Sequence, residues 1–128
     1  MGDRKRILLV DDYEPYRACV AHYLRTAMNA EVVEARDGLM ALDQLRTRSF
    51  DVLVVDVEMP QMDGIALFQC LQPELEARTV FVTGGERLER QDWLARFDRT
   101  RLLRKPVAFE RLGAVVSAIV ASRGAHDG

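Results

Sequence analysis

Five polar side chains, each at the end of a short apolar run, are the residues of this sequence best suited to chemistry. Three are carboxylates, one is a hydroxyl and one is an amine: Asp11, Asp12, Asp56, Thr83 and Lys105. Carboxylates that come close together repel one another and raise their pKa values unless a cation joins them. A hard cation such as Mg²⁺ binds one or two carboxylates together with carbonyl oxygens and waters. These residue types therefore point to a cation site, provided that the fold brings them together.

The elements that must position these side chains are short strands alternating with helices. Aliphatic and β-branched runs predict strands at 6–10, 31–35, 52–55, 79–83 and 101–104. Apolar residues at three- and four-residue spacing predict helices from Glu14 to Met28, after Asp37-Gly38, after Asp63-Gly64, over Glu86–Phe97 and from Phe109 to Ser122. The helix after Gly38 is predicted to turn Leu39, Leu42 and Leu45 toward the core.

This alternation predicts an α/β fold with a parallel sheet covered by helices on both faces, because parallel strands need crossover connections. In such a sheet, ligands bind at the carboxyl ends of the strands. The five polar side chains are predicted to lie along that edge. A single acid at a strand end is usually just solvated. The prediction of a site therefore depends on the convergence of all five side chains.

Composition restricts the class of protein. The chain has 128 residues, 48% hydrophobic and 30% charged, which is typical of one globular domain. A net charge of −2 argues against sequence-independent nucleic-acid binding, and no apolar run is long enough to cross a bilayer. Cys19 and Cys70 have no metal-ligand spacing around them and are predicted to behave as small apolar residues in a reducing cytosol.

Five motifs occur in order along the chain: LLVDDYE at 8–14, DGLMAL at 37–42, DVLVVDVEMPQMDG at 51–64, FVTGG at 81–85 and LLRKP at 102–106. Together they resemble the receiver domain of two-component response regulators. The resemblance covers residues 5–122 and implies a flavodoxin-like, doubly wound sheet in the strand order 2-1-3-4-5. It assigns residues 1–122 to the receiver domain and leaves 123–128 as a short flexible tail.

The resemblance also implies a role for each site residue. Asp56 is the expected phosphoacceptor, which takes a phosphoryl group from a phosphohistidine. Mg²⁺ is expected to bind Asp12, Asp56 and the backbone carbonyl of Glu58, with Asp11 acting mainly through bound water. The chain is accordingly expected to be a signalling switch that assists its own phosphorylation and dephosphorylation, not a turnover enzyme.

The resemblance also assigns residues that would bind the phosphoryl oxygens and residues that would transmit the signal to a partner. Lys105 is expected to pair with one phosphoryl oxygen and Thr83 to move toward another. The Lys105–Pro106 bond is expected to be cis, since only prolyl bonds adopt that isomer at low cost, about 0.5–1 kcal/mol. Family members that couple a threonine to an aromatic residue carry Tyr or Phe where this chain has Leu102, so the aromatic half of that switch is missing.

Two further predictions concern the loops beside these residues. The side chain of Glu58 is predicted to face solvent, and its charge to slow or redirect the attack of water on an aspartyl phosphate. The Gly84-Gly85 pair, which places little restraint on the backbone, predicts a mobile loop when Asp56 is unphosphorylated.

Partners and alternatives follow from the same resemblance. The expected partners are a sensor histidine kinase or a histidine phosphotransfer protein, and an unidentified downstream protein, in the cytoplasm; a homodimer is possible. The stretch from Thr83 to Pro106 is more similar to receivers attached to hybrid histidine kinases than to receivers that precede DNA-binding domains. The chain is expected to be either a single-domain regulator or a receiver separated from such a kinase.

Two other functions remain open at this stage. One is a receiver that no longer accepts phosphate and serves only as an interaction module. Loss of one of the site acids or of the lysine would favour it, and all of them are present. The other is a Mg²⁺-dependent phosphatase of the haloacid dehalogenase type, which requires a second aspartate where this chain has Glu58.

Overall fold

Strands form where aliphatic and β-branched residues run together, and helices form between them. The computed structural model describes residues 4–59, 62–84 and 97–127, with side chains described as far as Ser122. The strands are β1 (Arg6–Val10), β2 (Glu31–Ala35), β3 (Val52–Asp56), β4 (Thr79–Thr83) and β5 (Leu102–Arg104). The helices of the described residues are α1 (Glu14–Ala27), α2 (Gly38–Thr47), α3 (Gly64–Gln69), α4 (Pro73–Glu76) and α5 (Phe109–Asp127), with a 3₁₀ turn at Arg99–Arg101.

The strands form one parallel sheet in the order β2-β1-β3-β4-β5. The register places Val10 beside both Ala35 and Val55, and Asp56 beside Val82. The predicted α/β fold and its strand order are therefore confirmed. The register also brings the carboxyl ends of the strands to a common edge.

Two apolar cores lie on opposite faces of the sheet, because successive side chains of a strand point to opposite sides. On one face, Leu9, Val54 and Val82 pack with residues of α1 and α5. On the other face, Val10 and Phe81 pack with residues of α2 and α3. Every residue of β3 and β4 is buried, so the strands that carry Asp56 and Thr83 are held on both sides.

The two Asp-Gly pairs begin helices for the same physical reason. The carboxylates of Asp37 and Asp63 accept hydrogen bonds from the backbone N–H groups of Met40 and Ala66, each at 2.9 Å. Such caps satisfy N–H groups that the first helical turn leaves without an intrahelical acceptor. Both predicted helix starts are thus confirmed.

Of the details predicted for the elements, the inward direction of Leu39 is wrong. Leu39 is 51% exposed, since α2 turns Gly38 and Ala41 inward and Leu39 lies about 100° from Gly38 on the helix. Cys19 and Cys70, which were predicted to behave as small apolar residues, are both exposed.

The predicted helix over Glu86–Phe97 lies outside the described residues, apart from Phe97, which is buried.

The last helix is longer than predicted. It continues to Asp127, whereas the sequence predicts an end near Ser122. The added residues contain no proline, and one glycine within a helix costs only about 1 kcal/mol relative to alanine, so nothing in the sequence forces an end there. Among the described residues, no helix combines the length and apolar character that a membrane crossing requires.

Candidate functional site

The carboxyl edge of the sheet carries the polar side chains that the sequence singles out. Asp11 follows β1, Asp56 ends β3, Thr83 ends β4 and Lys105 follows β5. Backbone hydrogen bonds extend the sheet to these residues. The N–H of Asp11 donates to the carbonyl oxygen of Ala35 at 3.1 Å, and that of Lys105 to Thr83 at 2.8 Å. The strands thus fix the backbone positions of these residues.

Three carboxylates converge at this edge. One oxygen of each of Asp11, Asp12 and Asp56 lies within 4.8 Å of the others. Asp11 and Asp56 are only 3% and 4% exposed, whereas Asp12 is exposed. The cluster therefore has two acids held in the protein and one at the mouth of the site.

Lys105 is the cation closest to the buried acids among the ion pairs of the described residues. Its Nζ lies 3.5 Å from Oδ2 of Asp56 and 3.7 Å from Oδ2 of Asp11. The same Nζ lies 5.1 Å from the centre of the Tyr16 ring. The ammonium group thus lies between two carboxylates and an aromatic face.

The charges of the site shift its pKa values. Burial, together with the neighbouring Asp11 carboxylate, raises the pKa of Asp56 to about 7, although Lys105 opposes the shift. Burial also raises the pKa of Asp11. For Lys105, burial alone lowers the pKa, but the nearby acids, Asp56 first, outweigh it and raise the pKa above its ordinary value. One lysine does not compensate this concentration of negative charge.

The donor set fits a hard cation. Oδ1 of Asp56 is buried and has no hydrogen-bond partner among the residues that the structure describes. Buried polar atoms are nearly always satisfied, so an unpaired carboxylate oxygen beside two other carboxylates is suited to bind a cation. Oxygen donors alone, with one exposed acid beside solvent, suit Mg²⁺.

The side chain of Glu58 does not face solvent, and this prediction is wrong. The hydroxyl of Thr83 lies 2.9 Å from each carboxylate oxygen of Glu58, and the N–H of Gly84 donates to Oε1 at 3.2 Å. Glu58 is half-buried, and Thr83 is only 1% exposed. These donors at the end of β4 draw the carboxylate inward.

The loop after Asp56 is held by a close approach of backbone to backbone. The N–H of Gly64 donates to the carbonyl oxygen of Val57 at 3.0 Å. A Cβ at Gly64 would lie 2.5 Å from the carbonyl oxygen of Asp56. Only glycine fits here without displacing the backbone that carries the site, which explains the Asp63-Gly64 pair beyond its role in capping.

The remaining predicted positions are found as follows. The Lys105–Pro106 bond is cis, as expected. Leu102 is half-buried and packs against the core that contains Phe81. Gly84 is exposed, and Gly85 lies outside the described residues, so the mobile loop remains a prediction, as does the carbonyl of Glu58 as a ligand.

Two residues of the site were missed at the sequence level. Tyr16 lies within the predicted helix from Glu14 to Met28 and was given no role in the site, yet its ring faces Lys105. Arg17 donates from Nη1 to the carbonyl oxygen of Asp11 at 2.8 Å and from Nε to Glu34 at 3.0 Å. The available signal was their place in the first turn of α1, directly after the acids.

Comparison with known proteins identifies the family. The family model described as the response regulator receiver domain matches residues 7–117, which is most of the chain. The chain belongs to the response regulator receiver family. The resemblance inferred from the five motifs is therefore confirmed.

Known relatives of this receiver domain include both short and long proteins. The chain is 38% identical over 78 residues to chemotaxis protein CheY-3 of Vibrio cholerae, covering 61% of this chain and 60% of that protein. It is 35% identical over 129 residues to protein-glutamate methylesterase/protein-glutamine glutaminase 5 of Myxococcus xanthus, covering 94% of this chain and 37% of that protein. The matched segments span 17–37% of the length of four methylesterase relatives.

Solved structures agree with the fold of this receiver. The REC domain of AraT, a response regulator from Geobacillus stearothermophilus, has a TM-score of 0.80 at 30% sequence identity. The match covers 98% of this chain and 100% of that one. The similarity therefore extends over the whole domain.

Proposed function

We propose that this receiver accepts a phosphoryl group on Asp56 from the phosphohistidine of a sensor kinase or phosphotransfer protein. The observation that carries the proposal is the buried Asp56 carboxylate, which has Lys105 3.5 Å from one oxygen and the other oxygen unpartnered among the described residues. A carboxylate is a weak nucleophile, so the site must position it and neutralise charge on the phosphoryl oxygens. Both requirements match the groups gathered at this edge.

The chain's own residues have separable tasks in this transfer. A carboxylate oxygen of Asp56 attacks phosphorus, the P–N bond of phosphohistidine breaks, and the electron pair returns to the imidazole nitrogen. Lys105 binds a phosphoryl oxygen as a point charge. Asp12, Asp56 and the carbonyl of Glu58 would hold Mg²⁺, with Asp11 acting through water; when bound, the ion supplies further positive charge at the phosphoryl oxygens.

The result of transfer is a switch of surface and not catalytic turnover. Thr83 ends β4 beside the phosphoacceptor strand and is the residue that would report the new charge. The downstream protein would recognise the rearranged surface. Relatives of this receiver include a short chemotaxis protein and longer methylesterases, so a free domain and a domain of a larger chain are both compatible with the sequence.

The competing functions have less support. A phosphatase of the haloacid dehalogenase type needs a second acid that is free to protonate a leaving group. The side chain of Glu58 instead accepts a hydrogen bond from Thr83. An interaction module without phosphotransfer has no need for a buried carboxylate with a lysine 3.5 Å from one oxygen and no partner for the other among the described residues.

Incubation with acetyl phosphate and Mg²⁺ tests the proposal directly. Intact mass should show one labile phosphoryl adduct in the wild-type protein and none in Asp56→Asn. Turnover of many equivalents of phosphate ester would favour the phosphatase instead. Absence of any adduct in the wild-type protein would favour the interaction module.

A further inference from the structure

The end of β4 is occupied by the Glu58 carboxylate. Thr83 Oγ1 lies 2.9 Å from both Oε1 and Oε2, and the Gly84 N–H is a second donor, 3.2 Å from Oε1. Thr83 is 1% exposed, so its hydroxyl has little access to water as an alternative hydrogen-bond partner. Hydrogen bonds to an ionised acceptor are stronger than neutral ones. This contact therefore gives the unphosphorylated site a defined arrangement.

The same hydroxyl has a second possible acceptor. Asp56 lies on the strand adjacent to β4, with Asp56 beside Val82 in the register. A phosphoryl group on Asp56 would bring new acceptor oxygens to the edge where Thr83 ends. A hydroxyl has one proton to donate, so it cannot bond fully to Glu58 and to a phosphoryl oxygen at once.

The negative charge of Glu58, like its hydrogen bond to Thr83, opposes the binding of a phosphoryl group. Glu58 follows Asp56 by two residues, and a phosphoryl group would add negative charge beside its carboxylate. Like charges in a partly buried site repel one another. Binding of a phosphoryl group is therefore opposed by both the hydrogen bond and the charge of Glu58.

From this geometry, and on the basis of the proposed phosphotransfer at Asp56, we infer that Glu58 is a latch for Thr83. It holds the hydroxyl in the unphosphorylated arrangement and must release it when the site is phosphorylated. Glu58 is thus a positioning residue that sets how readily the phosphorylated state forms, and it acts through Thr83.

Two substitutions at Glu58 test the latch. Glu58→Met removes the acceptor at similar length, and Glu58→Gln keeps a neutral acceptor. The probe is beryllofluoride, a non-covalent mimic of the phosphoryl group, with Mg²⁺, and its affinity is measured by calorimetry. Loss of one charge-assisted hydrogen bond should tighten binding about three- to tenfold for Glu58→Met, with a smaller gain for Glu58→Gln.

The control for charge alone is Glu14→Gln, since Glu14 is an exposed acid in the first turn of α1. The control for mechanism is Thr83→Val, which removes the hydroxyl and keeps the shape of a β-branched side chain. Measuring the effect of Glu58→Met both in the wild-type protein and in the Thr83→Val variant completes a double-mutant cycle. Thermal unfolding of each variant establishes that it is folded.

The latch predicts that the gain from Glu58→Met is largely lost when Thr83 is replaced. An equal gain in both backgrounds would show that Glu58 acts by charge alone and would overturn the inference. Unchanged or weaker binding in Glu58→Met would also overturn it. Absence of an Asp56-dependent adduct in the wild-type protein is a separate result, which removes the proposed function and the latch with it.

Discussion

Nζ of Lys105 lies 5.1 Å from the centre of the Tyr16 ring, so the ammonium group faces an aromatic surface as well as the two buried acids. The ring belongs to the first turn of α1, and it also packs near Phe109 of α5, with 6.5 Å between ring centres. A cation over an aromatic face gains about 0.5–1 kcal/mol at exposed sites and more when desolvated. Tyr16 therefore supports the lysine that the proposed phosphoryl group needs.

Replacing Tyr16 by leucine should release this support. We expect the initial rate of phosphorylation by acetyl phosphate to fall about two- to fivefold, the equivalent of one cation–π contact. Tyr16→Phe keeps the ring and should retain the wild-type rate. Tyr23→Leu is the matched control, because Tyr23 also packs on Phe109, with 5.3 Å between ring centres, and no cation–π contact of the described residues joins it to Lys105. Equal losses in Tyr16→Leu and Tyr23→Leu would assign the effect to packing alone.

Asp56→Asn should stabilise the fold in Mg²⁺-free buffer, increasingly so with rising pH. The pKa of Asp56 is raised from 3.8 to about 7, so between these values the folded protein holds a proton that the unfolded chain releases. The contribution of Asp56 to the stability of the wild-type protein therefore falls as pH rises through this window and is constant above it. For Asp56→Asn we expect a gain in unfolding free energy of about 1–3 kcal/mol at pH 8 and nearly none at pH 4. The gain at pH 8 is reduced because the substitution also removes the ion pair with Lys105.

Chemical denaturation at several pH values, with both proteins in chelator-treated buffer, measures this difference. Asp43→Asn is the control, because Asp43 is exposed on α2 and pairs with Arg46. A difference between Asp56→Asn and wild type that does not depend on pH would contradict the assignment of the raised pKa.

Mg²⁺ should raise the unfolding temperature of the wild-type protein, because an ion that binds only the folded state stabilises it by mass action. At about a hundredfold excess over the dissociation constant the gain is about 2.7 kcal/mol. Asp12→Asn should abolish this gain and leave the metal-free protein nearly unchanged, since Asp12 is exposed. Asp43→Asn should keep the full gain. A full Mg²⁺ response in Asp12→Asn would place the ion elsewhere.

Gly64→Ala should damage the site through the backbone. The added Cβ would meet the Asp56 carbonyl oxygen at 2.5 Å and the Val57 Cα at 2.9 Å, and neither atom moves without shifting β3. We expect a loss of about 2 kcal/mol or more in unfolding free energy, by overpacking, together with slower phosphorylation. Thermal unfolding and acetyl phosphate labelling measure both.

Gly113→Ala is the matched control for this substitution. There the added Cβ meets the hydroxyl of Tyr23 at 2.8 Å, which is the end of a side chain that can rotate away. Alanine also favours a helix interior by about 1 kcal/mol over glycine. Gly113→Ala should therefore be much less destabilising than Gly64→Ala, and equal losses would contradict the steric explanation.

The sequence predicts the fold and the position of the acids because both depend on local patterns. The apolar run of β3 places Asp56 at a strand end, and strand ends meet at one edge of any parallel sheet. The direction of the Glu58 side chain could not be predicted in this way, since it depends on a hydroxyl 25 residues away. Leu39 was misplaced because the inward face of α2 is set by the small residues Gly38 and Ala41.

Tyr16 illustrates the other limit of sequence patterns. Periodicity identifies the buried side of α1, and Tyr16 does lie against the core. Periodicity does not reveal that the same ring faces Lys105, because that contact joins the first helix to the residue that follows the last strand.

The order of the strands gives the acids and the lysine of the site different support within the sheet. Asp11 and Asp56 are carried by β1 and β3, each flanked by strands on both sides, whereas Lys105 follows β5, a three-residue strand at the margin of the sheet. A marginal strand with one neighbour opens at lower free energy than an interior one. We therefore expect a change at the acids to move Lys105 and β5 before it moves β1 or β3.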